Sequence, residues 1–280
     1  MSQIDTPDAP SDDSGDRYNV PALERGLRLL CEFSRDTPTL SAPELARRFN
    51  LPRSTVFRLL STLENMGFIE KTESGRDYRL GLAVLRLGFE YLASLELTEL
   101  GLPVLTRLSE DIGHACNMVV RDGRSIVYVA KTASPTPFRS AVTVGTRLPA
   151  HATVLGHVLL ADLSLPQLRA LYPEDKLEVF SDNTPRTVNA LFDMVQTVRD
   201  HGYVLGEGFF ESNISTIAAP VRDRAGHTIA ALGATFTTAH IDEGPVDQLV
   251  NRVRAAADEI SGLLDGAHPG MTRKVIPLRR

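Results

Sequence analysis

Residues 41–67 read SAPELARRFNLPRSTVFRLLSTLENMG, and they decide how the first quarter of the chain folds. Ser41 stands where a helix N-cap belongs, Pro43 falls in the first turn, and Glu44 follows three residues after the serine, the spacing of a capping box. A short helix over 42–49 is predicted. Asn50 and Leu51 break its period, and Pro52 opens a second helix over 52–66. Its Val56, Leu59, Leu60 and Leu63 share one side, with Met66 flanking, and Gly67 ends it. Downstream, FIEK, the turn-like TESGRD and YRLG (residues 68–81) predict two short strands around a tight wing. Upstream, an apolar stripe of Leu23, Leu27 and Leu30, with Gly26 and Phe33 beside it, predicts a helix of about three turns. A helix, a helix–turn–helix pair and a wing, in that order, form a winged helix-turn-helix domain spanning residues 20–81.

That plan puts the second helix of the pair into the major groove of double-stranded DNA. At 100° per residue, Ser54, Arg58, Ser61 and Asn65 lie opposite the apolar side, with Phe57 and Thr62 at the flanks. Arginine can bond guanine O6 and N7 bidentately, hydroxyls such as those of Ser41, Thr55, Ser61 and Thr62 reach base edges or phosphates, and an aromatic edge can touch a thymine methyl. Arg47, Arg48 and Arg53 suit phosphate better than bases, and Arg76 in the wing suits a phosphate or a minor groove as well as it suits solvent. The charge distribution agrees. The chain carries −5 overall, but residues 41–60 hold four arginines against Glu44 alone, a local basic patch on an acidic protein.

The remaining length is too great for one small DNA reader: 280 residues suggest about two domains. An apolar content of 42% excludes a disordered chain. Residues 1–19, rich in Asp, Ser and Pro, are expected to be a disordered acidic tail, and 267–280 a loose basic one. A helix over 82–98 would link to an α+β domain over 99–266. Its helices are expected near 99–112, 152–162, 165–171, 187–201 and 245–264, and its strands near 116–121, 125–131, 139–143, 203–206, 215–221 and 228–236. No run is apolar enough for a membrane span and no leader pattern opens the chain, so the expected location is the cytoplasm, on the nucleoid when operator DNA is bound. Cys31 and Cys116 lie far apart and read as reduced core residues. The signatures GxSxG, Walker A and GxGxxG do not occur, which leaves an enzyme with an appended DNA reader a distant alternative and calls for no cofactor. His151 and His157 diverge on a helix, and His114 with Cys116 lacks a third ligand; no metal site is expected, and a metal-responsive repressor is the other alternative.

At larger scale the motifs VPALERGLRLLCEF, SAPELARRFNLPRSTVFRLLSTLENMGFIEK and YRLGLAVLRLG resemble the DNA-binding domain of the IclR family of transcription regulators. VGTRLPAHATVLGHVLLA, HGYVLGEG and STIAAPVRDRAGHTIAALGATF resemble the family's effector domain, so the likeness runs from about residue 20 to 266. The loop at 144–161 is most similar to that of aromatic-acid catabolism regulators of the β-ketoadipate type. The resemblance implies a GAF-like α+β sensing domain, homodimers that can pair into tetramers, and a small organic effector that modulates operator binding. Positions that hold small keto acids in such proteins fall here on Gly206, Thr216, Gly233 and Thr235. Glycine in place of an acid and a serine would remove polar partners and open volume, an arrangement for a bulkier, aromatic organic acid. Backbone N–H groups between Val144 and Gly156, with Gly145, Leu148, His151 and Thr153 among them, would meet its carboxylate together with Arg139. Glu207 and Glu211, in a glycine-rich loop, are further ligand candidates.

Overall fold

The computed structural model describes residues 19–34, 36–93, 96–132, 142–174, 176–238, 240–241 and 243–267. They divide between Tyr91 and Leu92 into two compact units. The tails expected before residue 19 and after 267, and the position of Arg139, lie outside these residues.

In the first unit Pro21 starts α1 (Pro21–Cys31). A two-residue strand β1 (Leu40–Ser41) leads into α2 (Ala42–Arg48), whose first turn is capped as the sequence indicates: Ser41 Oγ accepts from the Glu44 N–H at 3.3 Å. Asn50 takes a left-handed backbone, φ 49°, and turns the chain into α3 (Arg53–Asn65). Strands β2 (Ile69–Lys71) and β3 (Asp77–Leu80) form the wing, and β1 joins it as a third strand in the antiparallel order β1-β3-β2. Leu29, Leu40, Leu45, Val56, Leu60, Ile69 and Tyr78 make the core. The stripe expected of α1 is corrected here. Leu23 and Leu27 are 61% and 55% exposed, and the helix buries Gly26 and Leu29 instead. Apolar residues occupy more than one side of this helix, and a periodicity count alone does not say which side is buried. Met66 is likewise exposed at 60%.

The linker helix expected over 82–98 is α4 (Leu82–Ala93), and the helix expected near 99–112 is α5 (Glu96–Ile112), which begins inside the linker's expected span. In the second unit α5 is followed by β4 (Ala115–Asp122), β5 (Ser125–Lys131) and β6 (Arg147–Pro149). After a single 3-10 turn come α6 (Val154–Leu160), α7 (Leu165–Leu171) and α8 (Val188–His201). Strands β7 (Val204–Glu207), β8 (Ser215–Arg222) and β9 (Thr228–Phe236) and helix α9 (Glu243–Ala267) complete it. The six strands form one antiparallel sheet in the order β6-β5-β4-β9-β8-β7. The strand expected at 139–143 falls mostly outside the described residues, Val142 and Thr143 are not in a strand, and the sheet edge is supplied by β6.

Alternation along the strands sends side chains into two cores. Cys116, Met118, Ile217, Leu232 and Ala234 pack under α5 and α9, while Val119, Tyr128, Ala218 and Ala231 pack under α6 and α8. The odd-numbered neighbours in β4 and β9, Asn117, Gly233 and Thr235, therefore belong to the α6 side. Helix α6 is capped by Thr153, whose hydroxyl accepts from the Gly156 N–H at 3.2 Å. It sits so close to the preceding turn that a Cβ at Gly156 would collide with the backbone of Ala150. None of the described helices is long and apolar enough to cross a membrane.

Candidate functional site

Two surfaces gather the residues singled out in the sequence. On the first unit, α3 exposes Arg53, Ser54, Phe57, Arg58 and Thr62, with Thr55 and Ser61 half-buried. Phe57 is 60% exposed and forms a shallow dent with Ala42, Pro43, Arg53, Ser54 and Arg58. An aromatic ring this exposed beside two arginines gives the face both an apolar and a hydrogen-bonding element. Arg47, Arg53, Arg58 and Arg76 have no acidic partner among the described residues and remain available to phosphate or base. Arg48 does not. Its guanidinium donates to Glu32 at 2.9 Å and to Glu44 at 2.6 Å, tying α2 to the end of α1, and those two carboxylates hold it firmly charged. Lys71 is paired with Glu64 and Arg79 with Glu70. Ser41 spends its hydroxyl on the α2 cap, and Thr62 donates its own to the Arg58 carbonyl at 2.9 Å.

On the second unit, a cavity of about 90 Å³ opens between the sheet and α6. Five of the residues named from the sequence line it: Leu148, Thr153, Glu211, Thr216 and Thr235. The others lie elsewhere. Val144 and Gly145 form an exposed turn, Gly145 with φ 88°. His151 is buried with Nε2 2.9 Å from the Glu178 carbonyl, its ring against Tyr172 and Phe180, and it lines a separate cleft. Glu207 accepts from the Ile241 N–H and pairs with His240 at 2.7 Å, which holds its carboxyl below the usual range. Gly206 and Gly233 do not enlarge the cavity, contrary to the expectation. A Cβ at Gly206 would strike Val154 and Phe209, and one at Gly233 would come within 2.7 Å of Leu155. The space left by the missing side chains has been taken by residues of α6 and the β7–β8 loop.

The rest of the lining escaped the sequence reading: Asn117, Tyr128, Phe209 and Phe210 above all. The one signal that could have found Asn117 is an amide set inside the otherwise apolar run ACNMVV of a central strand. Asn117 Nδ2 donates to Thr235 Oγ1 at 2.9 Å. Burial, with Glu211 adding to it, pushes the Tyr128 phenol up to about 12, so it stays protonated and able to donate. Phe209 packs edge-on against His157 at 5.2 Å, and its carbonyl accepts from Ser181 Oγ at 2.7 Å and Thr184 Oγ1 at 3.0 Å. Phe210 leans on Phe180 at 5.1 Å. His157 donates from Nε2 to the His151 carbonyl at 2.7 Å, and burial drops its pKa to about 4, leaving the imidazole neutral. Glu211 is the lone ionisable carboxylate of the lining, and no Lys or Arg lines the cavity among the described residues. Nor is any group of three His, Cys, Asp or Glu among them placed to hold a metal ion.

Comparison with known proteins agrees with this division. Residues 22–73 match the IclR helix-turn-helix domain, and residues 89–262 match the bacterial transcriptional regulator IclR C-terminal domain. The Pca regulon regulatory protein of Pseudomonas putida is 31% identical over 84% of this chain and 80% of its own. The transcriptional repressor AllR of Escherichia coli K12 is 26% identical over 89% and 92%. A crystal structure of an IclR homolog complexed with 4-hydroxybenzoate, from Microbacterium hydrocarbonoxydans, superimposes with a TM-score of 0.75 at 26% identity, covering 87% of this chain and 98% of that one. With matched models over both units and relatives along nearly its full length, the chain belongs to the IclR family of DNA-binding transcription regulators.

Proposed function

We propose that the protein is a homodimeric regulator, able to pair into tetramers, whose hold on operator DNA through α3 is modulated by a small organic acid, an aromatic one, in the cavity beneath α6. The observation that carries the DNA reading is the exposed face of α3, where Arg53 and Arg58 lack acidic partners among the described residues, while Arg48, Lys71 and Arg79 are paired. In favour of the aromatic acid stand the Phe209 and Phe210 walls, hydroxyl donors on Tyr128, Thr216 and Thr235, and a relative solved with 4-hydroxybenzoate. At about 90 Å³ the cavity is smaller than the ~150 Å³ void that accepts benzene. An aromatic ring therefore enters only as Phe209, Phe210 or Val142 gives way. A mobility shift on operator fragments selected from random duplexes, with and without 4-hydroxybenzoate or protocatechuate, tests both halves. Calorimetry with glyoxylate and pyruvate completes the test: tight binding of either small keto acid with none of the aromatics overturns the effector class.

A further inference from the structure

One wall of the cavity is a row of polar side chains on adjacent strands: Asn117 on β4, Thr235 on β9 and Thr216 on β8. Thr216 and Thr235 face each other in register, and Asn117 pairs with Gly233, two residues from Thr235 on the same side of β9. In the bond from Asn117 Nδ2 to Thr235 Oγ1 the amide uses its NH2 and leaves its other end over. That end is Oδ1, buried and without a hydrogen-bond partner, on a residue only 5% exposed. The two residues flanking Asn117 in β4, Cys116 and Met118, turn to the other face of the sheet and cannot supply a donor. The Glu211 carboxylate, a second strong acceptor, lines the same space. A buried acceptor left unpaired is costly, and natural structures keep such groups where something else completes them.

We propose that Asn117, held by Thr235, is a specificity-determining residue of this cavity, and that the effector meets its Oδ1 with a hydrogen-bond donor, the hydroxyl of a hydroxylated aromatic acid. The inference rests on the effector reading above and narrows it. The carboxylate of such a ligand points away from Asn117, because two acceptors repel. A site built to bond a hydroxyl rejects the analogue that lacks it more strongly than an apolar pocket rejects a change of size.

Calorimetry of the full chain with 4-hydroxybenzoate, benzoate, 4-fluorobenzoate and 4-methoxybenzoate reads this directly. The hydroxy acid is expected to bind at least ~10-fold tighter than each of the other three, a gap of about 1.4 kcal/mol. In the double variant Asn117→Leu/Thr235→Val that ratio falls toward one. Its ligand-free melting temperature equals or exceeds that of the parent, since replacing both partners by apolar groups removes the unpaired carbonyl. Equal binding of the methoxy and hydroxy acids overturns the inference, because the amide would then be offering its NH2. If none of the four acids binds, the effector reading fails, and the ligand-free melting temperature together with phenol binding judges Asn117. A fall of about 2 °C or more makes the pair a structural bond and overturns the inference. An unchanged or raised value, with phenol binding that the double variant loses, sustains it.

Discussion

Arg58 and Arg48 are both arginines of one small domain, yet they carry opposite expectations. Arg58 lies on the exposed face of α3 with no acidic partner among the described residues, so Arg58→Ala should lose roughly 1–3 kcal/mol on a selected operator and relax discrimination at one base pair. Arg47→Ala should weaken all duplexes alike and lower the salt slope by about 1. Arg48→Ala, whose guanidinium bridges Glu32 and Glu44, should leave the slope unchanged and show itself as a lower melting temperature. Mobility shifts on specific and random duplexes at several salt concentrations separate the three. His157 makes a prediction about acid. Its folded pKa, about 4, lies below the ordinary 6.5 because burial disfavours the imidazolium. Between those values the unfolded chain binds the extra proton, so this contribution is complete above about pH 6.5 and is lost as pH falls toward 4. At pH 5 the loss relative to pH 7 is about 2 kcal/mol. His157→Gln should flatten the dependence of melting temperature on pH across that window.

Among the elements, α2 and α3 were legible because their signals are local: a cap, a proline in the first turn, and a 3.6-residue period read without knowing any partner. Strand β6 was not. Three residues ending in proline, Arg147–Pro149, have no alternation to count, and only the edge of β5 makes them a strand. The cavity divides in the same way. Thr216 and Thr235 were found through family resemblance, whereas Phe209 comes from a loop whose position depends on Ser181 and Thr184 far upstream. The volume assigned to Gly206 and Gly233 failed for a related reason, since a glycine opens space only if no neighbour moves in. Gly206→Ala is therefore expected to overpack Val154 and Phe209 and to cost about 1–3 kcal/mol in urea unfolding, with no gain in room for a ligand.

At the level of the whole molecule, a winged helix reads few base pairs, and a useful affinity in a genome needs two such modules about a helical turn or more apart. Exposed apolar side chains suit an assembled state. Leu23 and Leu27 on α1, together with Leu82, Leu85, Leu87 and Tyr91 on α4, stand in solvent in the single chain; the side chains of Phe89 and Leu92, expected on the same linker stripe, lie outside the described residues. Light scattering at micromolar concentration should return a dimer or larger, and Leu23→Glu/Leu27→Glu should lower the assembled fraction and operator affinity while circular dichroism stays unchanged. The doubly anchored carbonyl of Phe209 has a consequence in time rather than in affinity. A ring that enters as Phe209 gives way waits on a loop whose Phe209 carbonyl is held by Ser181 and Thr184, and it arrives at the loop's own pace. In stopped-flow mixing the observed association rate should level off as ligand concentration rises, at a plateau set by loop opening, and Ser181→Ala/Thr184→Val should lift that plateau.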